Sequence, residues 1–196
     1  PMAIYTFTKA SEQQRARIVE LFPSIMELEE PIRQMTIDAF CTSWASSGFA
    51  DLMDVPFSKH LQGFALCKHI DEVVRFGKVM YEAAAPLWAG DSWCAEMDEQ
   101  AMLAVLLLHD IDKPLLLGDE DADAVKLNIQ HGVLGAMILH DLGFSDRIVS
   151  IVAAHSPSCT ADVMDPIAHL LHYADLYSAD HIFLLRGRKP YYHYHQ

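Results

Sequence analysis

The chain has 196 residues, 52% of them apolar and 21% charged, the composition of one globular domain large enough to bury a substantial core rather than of a disordered chain. Its formal net charge of −13 excludes a nucleic-acid polymer as partner, since that would need a basic face, and no apolar run approaches the roughly 20 residues that cross a bilayer. Cys41, Cys67, Cys94 and Cys159 include no CxxC pair, and the opening Pro1-Met2-Ala3-Ile4 lacks the basic flank and apolar core of a signal peptide, so a reduced, cytoplasmic setting is expected.

Residues 11–21 predict a first helix, capped by Ser11, with Arg15, Ile18, Val19 and Phe22 at helical spacing. Pro23 and Pro31 punctuate the chain, residues 32–44 predict a second helix, and Ser46-Ser47-Gly48 and Pro56 bound a loop. This segment, residues 1–63, reads as a helical extension or a lid. Farther on, His69, Val73, Phe76 and Met80 fall at i, i+4, i+7 and i+11, so His69 shares a helix face with an apolar stripe. A loop over 86–98, with Gly90 and Trp93, opens the next helix. That helix is the apolar run 101–108, which ends abruptly in His109-Asp110. Ala, Leu and Met dominate the run, and Val105 is its only β-branched residue, which favours helix over strand.

After Pro114 and an acidic loop over 118–123, Leu127, His131, Leu134 and Ile138 again run at helical spacing, with Gly143 as C-cap. Ile148, Ile151 or Val152, and His155 then share a face before Ser156-Pro157. Pro166 opens the last helix, on which Ile167, Leu171 and Asp175 align. Eleven histidines are a marked excess, and the spacing accounts for part of it. Five successive predicted helices each place a metal-competent group in line with an apolar stripe: His69, His109 with Asp110, His131, His155 and Asp175. Burying these groups is costly unless they are paired, and one shared metal centre satisfies them together, since imidazole and carboxylate are common ligands of divalent ions. His140 lies in the same predicted helix as His131, so the stripe does not exclude it. His60, His169, His172, His181, His193 and His195 are expected at the surface.

The ordered pattern H…HD…H…H…D resembles the HD-domain superfamily of metal-dependent phosphohydrolases. It is carried by His69 in Lys68-His69-Ile70-Asp71-Glu72-Val73, His109-Asp110 in Leu108-His109-Asp110-Ile111-Asp112-Lys113, and His131 in Gln130-His131-Gly132-Val133-Leu134-Gly135-Ala136. His155 in Val152-Ala153-Ala154-His155-Ser156 and Asp175 in Tyr173-Ala174-Asp175-Leu176-Tyr177-Ser178-Ala179 complete it. The resemblance spans residues 64–180 and implies an all-α fold: a helical HD domain between the extension 1–63 and a tail, 181–196. It further implies two divalent metal ions, iron before manganese or zinc. His69, His109 and Asp175 would bind one ion and His131 and His155 the other, with Asp110 as the bridge, and a hydroxide between the ions would attack phosphorus.

In dinuclear members of that family a lysine aimed at substrate often stands where Lys113 stands here. Arg186, Arg188 and Lys189 form a basic cluster that could meet a small anionic substrate. Paired histidines and a GYP signature, the marks of the cyclic-dinucleotide branch, are absent. The single-histidine pattern is similar both to dinucleoside tetraphosphate hydrolases and to HD-domain di-iron oxygenases. The expected function is therefore hydrolysis of a phosphate ester or anhydride in a small phosphorylated or nucleotide substrate. The alternative is a mixed-valent di-iron oxygenase acting on a hydroxylated organophosphonate or polyol. A homodimer is left open, and the aromatic ending 191–195 carries no assigned mechanism.

Overall fold

The computed structural model describes residues 3–92, 96–119, 122–156 and 164–194; Trp93, Cys94, Pro157, Cys159 and His195 lie outside them. The fold is all-α with one small hairpin. Helix α1 (Glu12–Leu21) starts at Ser11 in a capping box, the Ser11 hydroxyl accepting from the Gln14 N–H while the Gln14 side chain accepts from the Ser11 N–H. Helix α2 spans Ile32–Ala45. Ile18 and Phe22 join Leu106 and Leu107 in one hydrophobic core, so the N-terminal helices share the interior of the rest of the chain.

Helix α3 (Leu66–Ala84) buries Cys67, His69, Ile70, Val73, Val74 and Gly77; of the predicted stripe His69 and Val73 are buried, while Phe76 and Met80 are half-buried against the core. Helix α4 (Glu99–Leu108) is started by Asp98, which accepts from the N–H groups of Gln100 and Ala101. Every residue from Ala101 to Leu108 is buried, which explains an apolar run with no polar face: α4 is the central helix. Helix α3 passes close beside it at Gly77, where an added Cβ would stand 2.6 Å from Leu106 Cδ1. Helices α5 (Lys113–Leu116) and α6 (Asp123–Lys126) are single turns. Helices α7 (Val133–Asp141) and α8 (Asp146–Ala154) form a packed pair, and α9 (Pro166–Leu185) lies along α3. Among the described residues, no helix is long and apolar enough to cross a membrane.

Two expectations need correction. The segment 1–63, expected as a helical extension or a lid, is not helical to its end. Strands β1 (Pro56–Ser58) and β2 (Leu61–Ala65) pair antiparallel with Ser58 opposite Leu61. Phe57 and Leu61 pack on Ala179, Ile182 and Phe183 of α9, and two such short strands carry too little alternation to register as sheet. The helix expected through Leu127, His131, Leu134 and Ile138 is also broken. Asn128 at φ 49 and Gly132 at φ 87 take left-handed conformations that end α6 and reset the chain before α7. His131 sits in that turn, and Leu127, which the stripe would have buried, is 64% exposed. Helix α9 runs beyond residue 180 to Leu185, so the first part of the expected tail is helical.

Candidate metal centre

The predicted residues converge, though most of them from helix ends. Only His69 in α3 and Asp175 in α9 sit inside helices; His109 is the C-cap of α4, Asp110 follows it, and His155 is the C-cap of α8. The turn carrying His131 is pressed onto the end of α8. A Cβ at Gly132 would lie 2.9 Å from the Val152 carbonyl oxygen and 3.3 Å from His155 Nδ1, so only glycine permits the approach that brings the His131 and His155 rings to 4.9 Å.

Two groups of ligand atoms result, and they share Asp110: His69 with His109 and Asp110, and His131 with His155 and Asp110. Asp110 Oδ2 lies 3.4 Å from both His69 Nε2 and His109 Nε2. Its Oδ1 lies 3.0 Å from His131 Nε2 and 3.7 Å from His155 Nε2. One carboxylate thus turns one oxygen to each histidine pair. Asp175 Oδ1 adds a further oxygen to the first group, 3.1 Å from His69 Nε2 and 3.8 Å from His109 Nε2.

The backs of the rings explain why every Nε2 faces inward. His109 Nδ1 lies 3.0 Å from the Leu106 carbonyl and His155 Nδ1 2.7 Å from the Val152 carbonyl. A carbonyl only accepts, so both Nδ1 atoms carry hydrogen and donate it outward. His131 Nδ1 donates to Asp112 Oδ1 at 2.9 Å, while Asp112 Oδ2 accepts from the N–H groups of Gly132 at 2.7 Å and Gly135 at 3.3 Å. Asp112, fully buried, is a residue of this cluster that the sequence reading passed over. Its only signal was an additional acidic residue inside a buried stretch. His69 Nδ1 is hydrogen-bonded to the Ser178 hydroxyl at 2.9 Å.

This arrangement fits a cation. His69 Nε2 and His109 Nε2 stand 3.2 Å apart, and the buried His155 Nε2 has no hydrogen-bond partner among the described residues. Inward lone pairs that close repel unless a proton or a metal lies among them. The carboxylates point the same way. Burial favours a neutral Asp110, yet the Lys113 and His109 charges beside it hold it well below the usual range. Burial likewise opposes charge on Asp175 and Asp112, yet hydrogen bonding from His69 together with the His109 and His69 charges holds Asp175 down, and His131 with the Gly132 N–H holds Asp112 down. Burial opposes a charge on His131, but Asp112 and Asp110 raise its pKa to about 10. Carboxylates and imidazoles clustered in this way share protons that cations can replace.

Asp110, His131, His155 and Asp175 open onto a cavity of about 260 Å³, walled by the hairpin residues Phe57–His60 and by Leu116, Leu176 and Tyr191 among others. Lys113 lines it as well. Its ammonium is 2.7 Å from Asp110 Oδ2, off the angle of a good hydrogen bond, and 4.4 Å from the centre of the Phe57 ring. Tyr191 keeps its phenolic proton, because burial and the nearby Asp175 and Asp110 raise its pKa to about 12. The structure does not bring Arg186 and Arg188 to the cavity: they donate to the hairpin carbonyls of Gly63 and His60, both at 2.8 Å, and fasten β1–β2 to α9. His140 is exposed beside Asp141. His60 is exposed as expected, yet it belongs to the cavity rim.

Residues 67–180, more than half of the chain, match a family model described as HD domain. No curated protein and no solved structure matches the chain.

Proposed function

The chain belongs to the HD-domain family, and on that premise we propose that it is a dinuclear metal-dependent hydrolase of a phosphate ester or anhydride in a small phosphorylated or nucleotide substrate. The observation that carries the proposal is Asp110, whose two oxygens face two separate histidine pairs. His69, His109 and Asp175 would hold one ion and His131 and His155 the other, with Asp110 between them; iron is the first choice, then manganese or zinc. Bound there, the cations would supply Lewis acidity toward phosphoryl oxygens and would lower the pKa of a water.

The chain's own residues supply the rest. Lys113 presents an ammonium beside Asp110, where an anionic substrate group would lie. Tyr191, whose phenol keeps its proton, lines the same cavity. Phe57, Leu116 and Leu176 keep the wall apolar, which strengthens these polar contacts by excluding water. A volume of about 260 Å³ suits a small substrate or one end of a nucleotide. Within residues 1–63, the β1 end of the hairpin is the part that acts as a lid, while α1 and α2 serve the core.

The test is protein loaded with iron or with manganese, screened against phosphate esters and anhydrides with dissolved oxygen recorded in parallel. Phosphate release without oxygen uptake is expected. Oxygen consumption matched to substrate loss would replace the proposal with the di-iron oxygenase chemistry.

A further inference from the structure

Three of the four inward-facing imidazoles have a proton position fixed by a group that only accepts: the Leu106 carbonyl, the Val152 carbonyl and the Asp112 carboxylate. His69 is different. Its Nδ1 meets the hydroxyl of Ser178, which can donate or accept. If that hydroxyl donated to Nδ1, the ring proton would sit on Nε2 and point at Asp175 Oδ1, His109 Nε2 and Asp110 Oδ2, at 3.1, 3.2 and 3.4 Å, where it would block a cation.

What settles the direction is a third residue. Ser178 Oγ donates to Glu72 Oε2 at 2.8 Å. A hydroxyl has one proton; once it is given to the carboxylate, only lone pairs remain for His69. Nδ1 must then carry the hydrogen, and Nε2 turns its lone pair to the centre. The placement follows from helix geometry. Glu72 is three residues past His69 on α3, and Ser178 three past Asp175 on α9, so each interior ligand has a companion on its own helix face. Packing α9 along α3 joins the two companions over Ser178, which is fully buried. Neither lines the substrate cavity; Glu72 instead opens onto a separate groove beside Met53, Phe64 and Cys67.

We propose that Glu72 and Ser178 are positioning residues of the metal centre: the Glu72 carboxylate, acting through the Ser178 hydroxyl, fixes the tautomer in which His69 can bind a metal. The inference rests on the metal-binding role given to His69 above.

Its test begins with full-length metal-free protein at a pH above the raised values of His69 and His131, where long-range proton–nitrogen NMR distinguishes the two tautomers of His69. Wild-type His69 should carry its proton on Nδ1. In Glu72→Gln the carboxamide can donate to Ser178, which frees the hydroxyl to donate to the ring, so His69 should shift toward the Nε2–H form. Manganese(II) titrated against a chelator should then bind about 10–100-fold more weakly at one of two equivalents, with the thermal midpoint unchanged. Ser178→Ala should weaken the same equivalent. A wild-type His69 protonated on Nε2, or a Glu72→Gln protein that keeps both Nδ1–H and wild-type affinity, overturns the proposal. Fewer than two equivalents in the wild type would count against the dinuclear reading instead, because the tautomer is read without metal.

Discussion

Replacing Asp112 by Asn changes two atoms' chemistry and almost no volume, yet the structure predicts that it disables half of the centre. Asp112 Oδ2 accepts from two fixed backbone donors, Gly132 N–H at 2.7 Å and Gly135 N–H at 3.3 Å, and Oδ1 accepts from His131 Nδ1 at 2.9 Å. An Asn side chain must turn its one oxygen to the two backbone donors, since turning its amide there would set donor against donor. The amide then faces His131 Nδ1, which has to become an acceptor. The ring proton moves to Nε2, which aims at Asp110 Oδ1, and the ring can no longer ligate in that state. Losing an orienting partner of a metal-bound histidine typically weakens metal binding about 10–100-fold, or about 1.4–2.7 kcal/mol. Chelator-competition titration with manganese(II) should show one equivalent weakened by that amount and the other, at His69 and His109, retained. Circular dichroism should remain that of the helical fold. An Asp112→Asn protein with two equivalents at wild-type affinity would refute the tautomer argument.

Three further perturbations separate substrate contact, local geometry and scaffold. Lys113→Ala should keep both metals and, once loaded, near-normal thermal stability, while lowering kcat/KM on the true substrate by about 1.5–3 kcal/mol, the worth of a charged hydrogen bond; unaltered kinetics would return Lys113 to a surface role. Gly132→Ala puts a Cβ 2.9 Å from the Val152 carbonyl at φ 87, so it should destabilise the fold by about 1–3 kcal/mol in denaturant titration and weaken the equivalent held by His131 and His155. Asp165 caps α9 through the Ile167 N–H and takes two hydrogen bonds from Arg147; Asp165→Ala should lose about 2 kcal/mol. Burial would raise the Asp165 pKa, but hydrogen bonds from Arg147 and from the Ile167 and Ala168 N–H groups, with the Arg147 charge, together lower it. Its stabilisation is therefore full above the ordinary aspartate value of about 3.9 and is lost as pH falls through the lower folded value. The stability gap between wild type and Asp165→Ala should close on that acid side and stay constant near neutrality.

How much of the site was legible depended on where each residue's position is decided. His69 and Asp175 lie inside regular helices, and spacing alone placed them on buried faces. His109 and Asp110 were visible as the abrupt end of an apolar run that proves to be the central helix. His131 was found by a pattern that the structure does not contain: the left-handed Asn128 and Gly132 break the helix, and the turn they form carries His131 to the same centre. The residues that set the rings were illegible because their roles are tertiary. Asp112 reads as a flank of Asp110 until the start of α7 folds back over it, and Ser178 as a small helix residue until α9 packs along α3. Arg186 and Arg188 show the converse: a basic cluster suggested an anion site, but each guanidinium satisfies a carbonyl of a hairpin too short to be seen in the sequence.

The account turns on one carboxylate shared between two histidine pairs, and elemental analysis reaches it most directly. The wild-type chain loaded with iron or manganese and freed of excess ion should hold close to two equivalents, and Asp110→Ala should hold none, because the cations would face each other without the shared anion. One firm equivalent in the wild type, or one retained by Asp110→Ala, would contradict it.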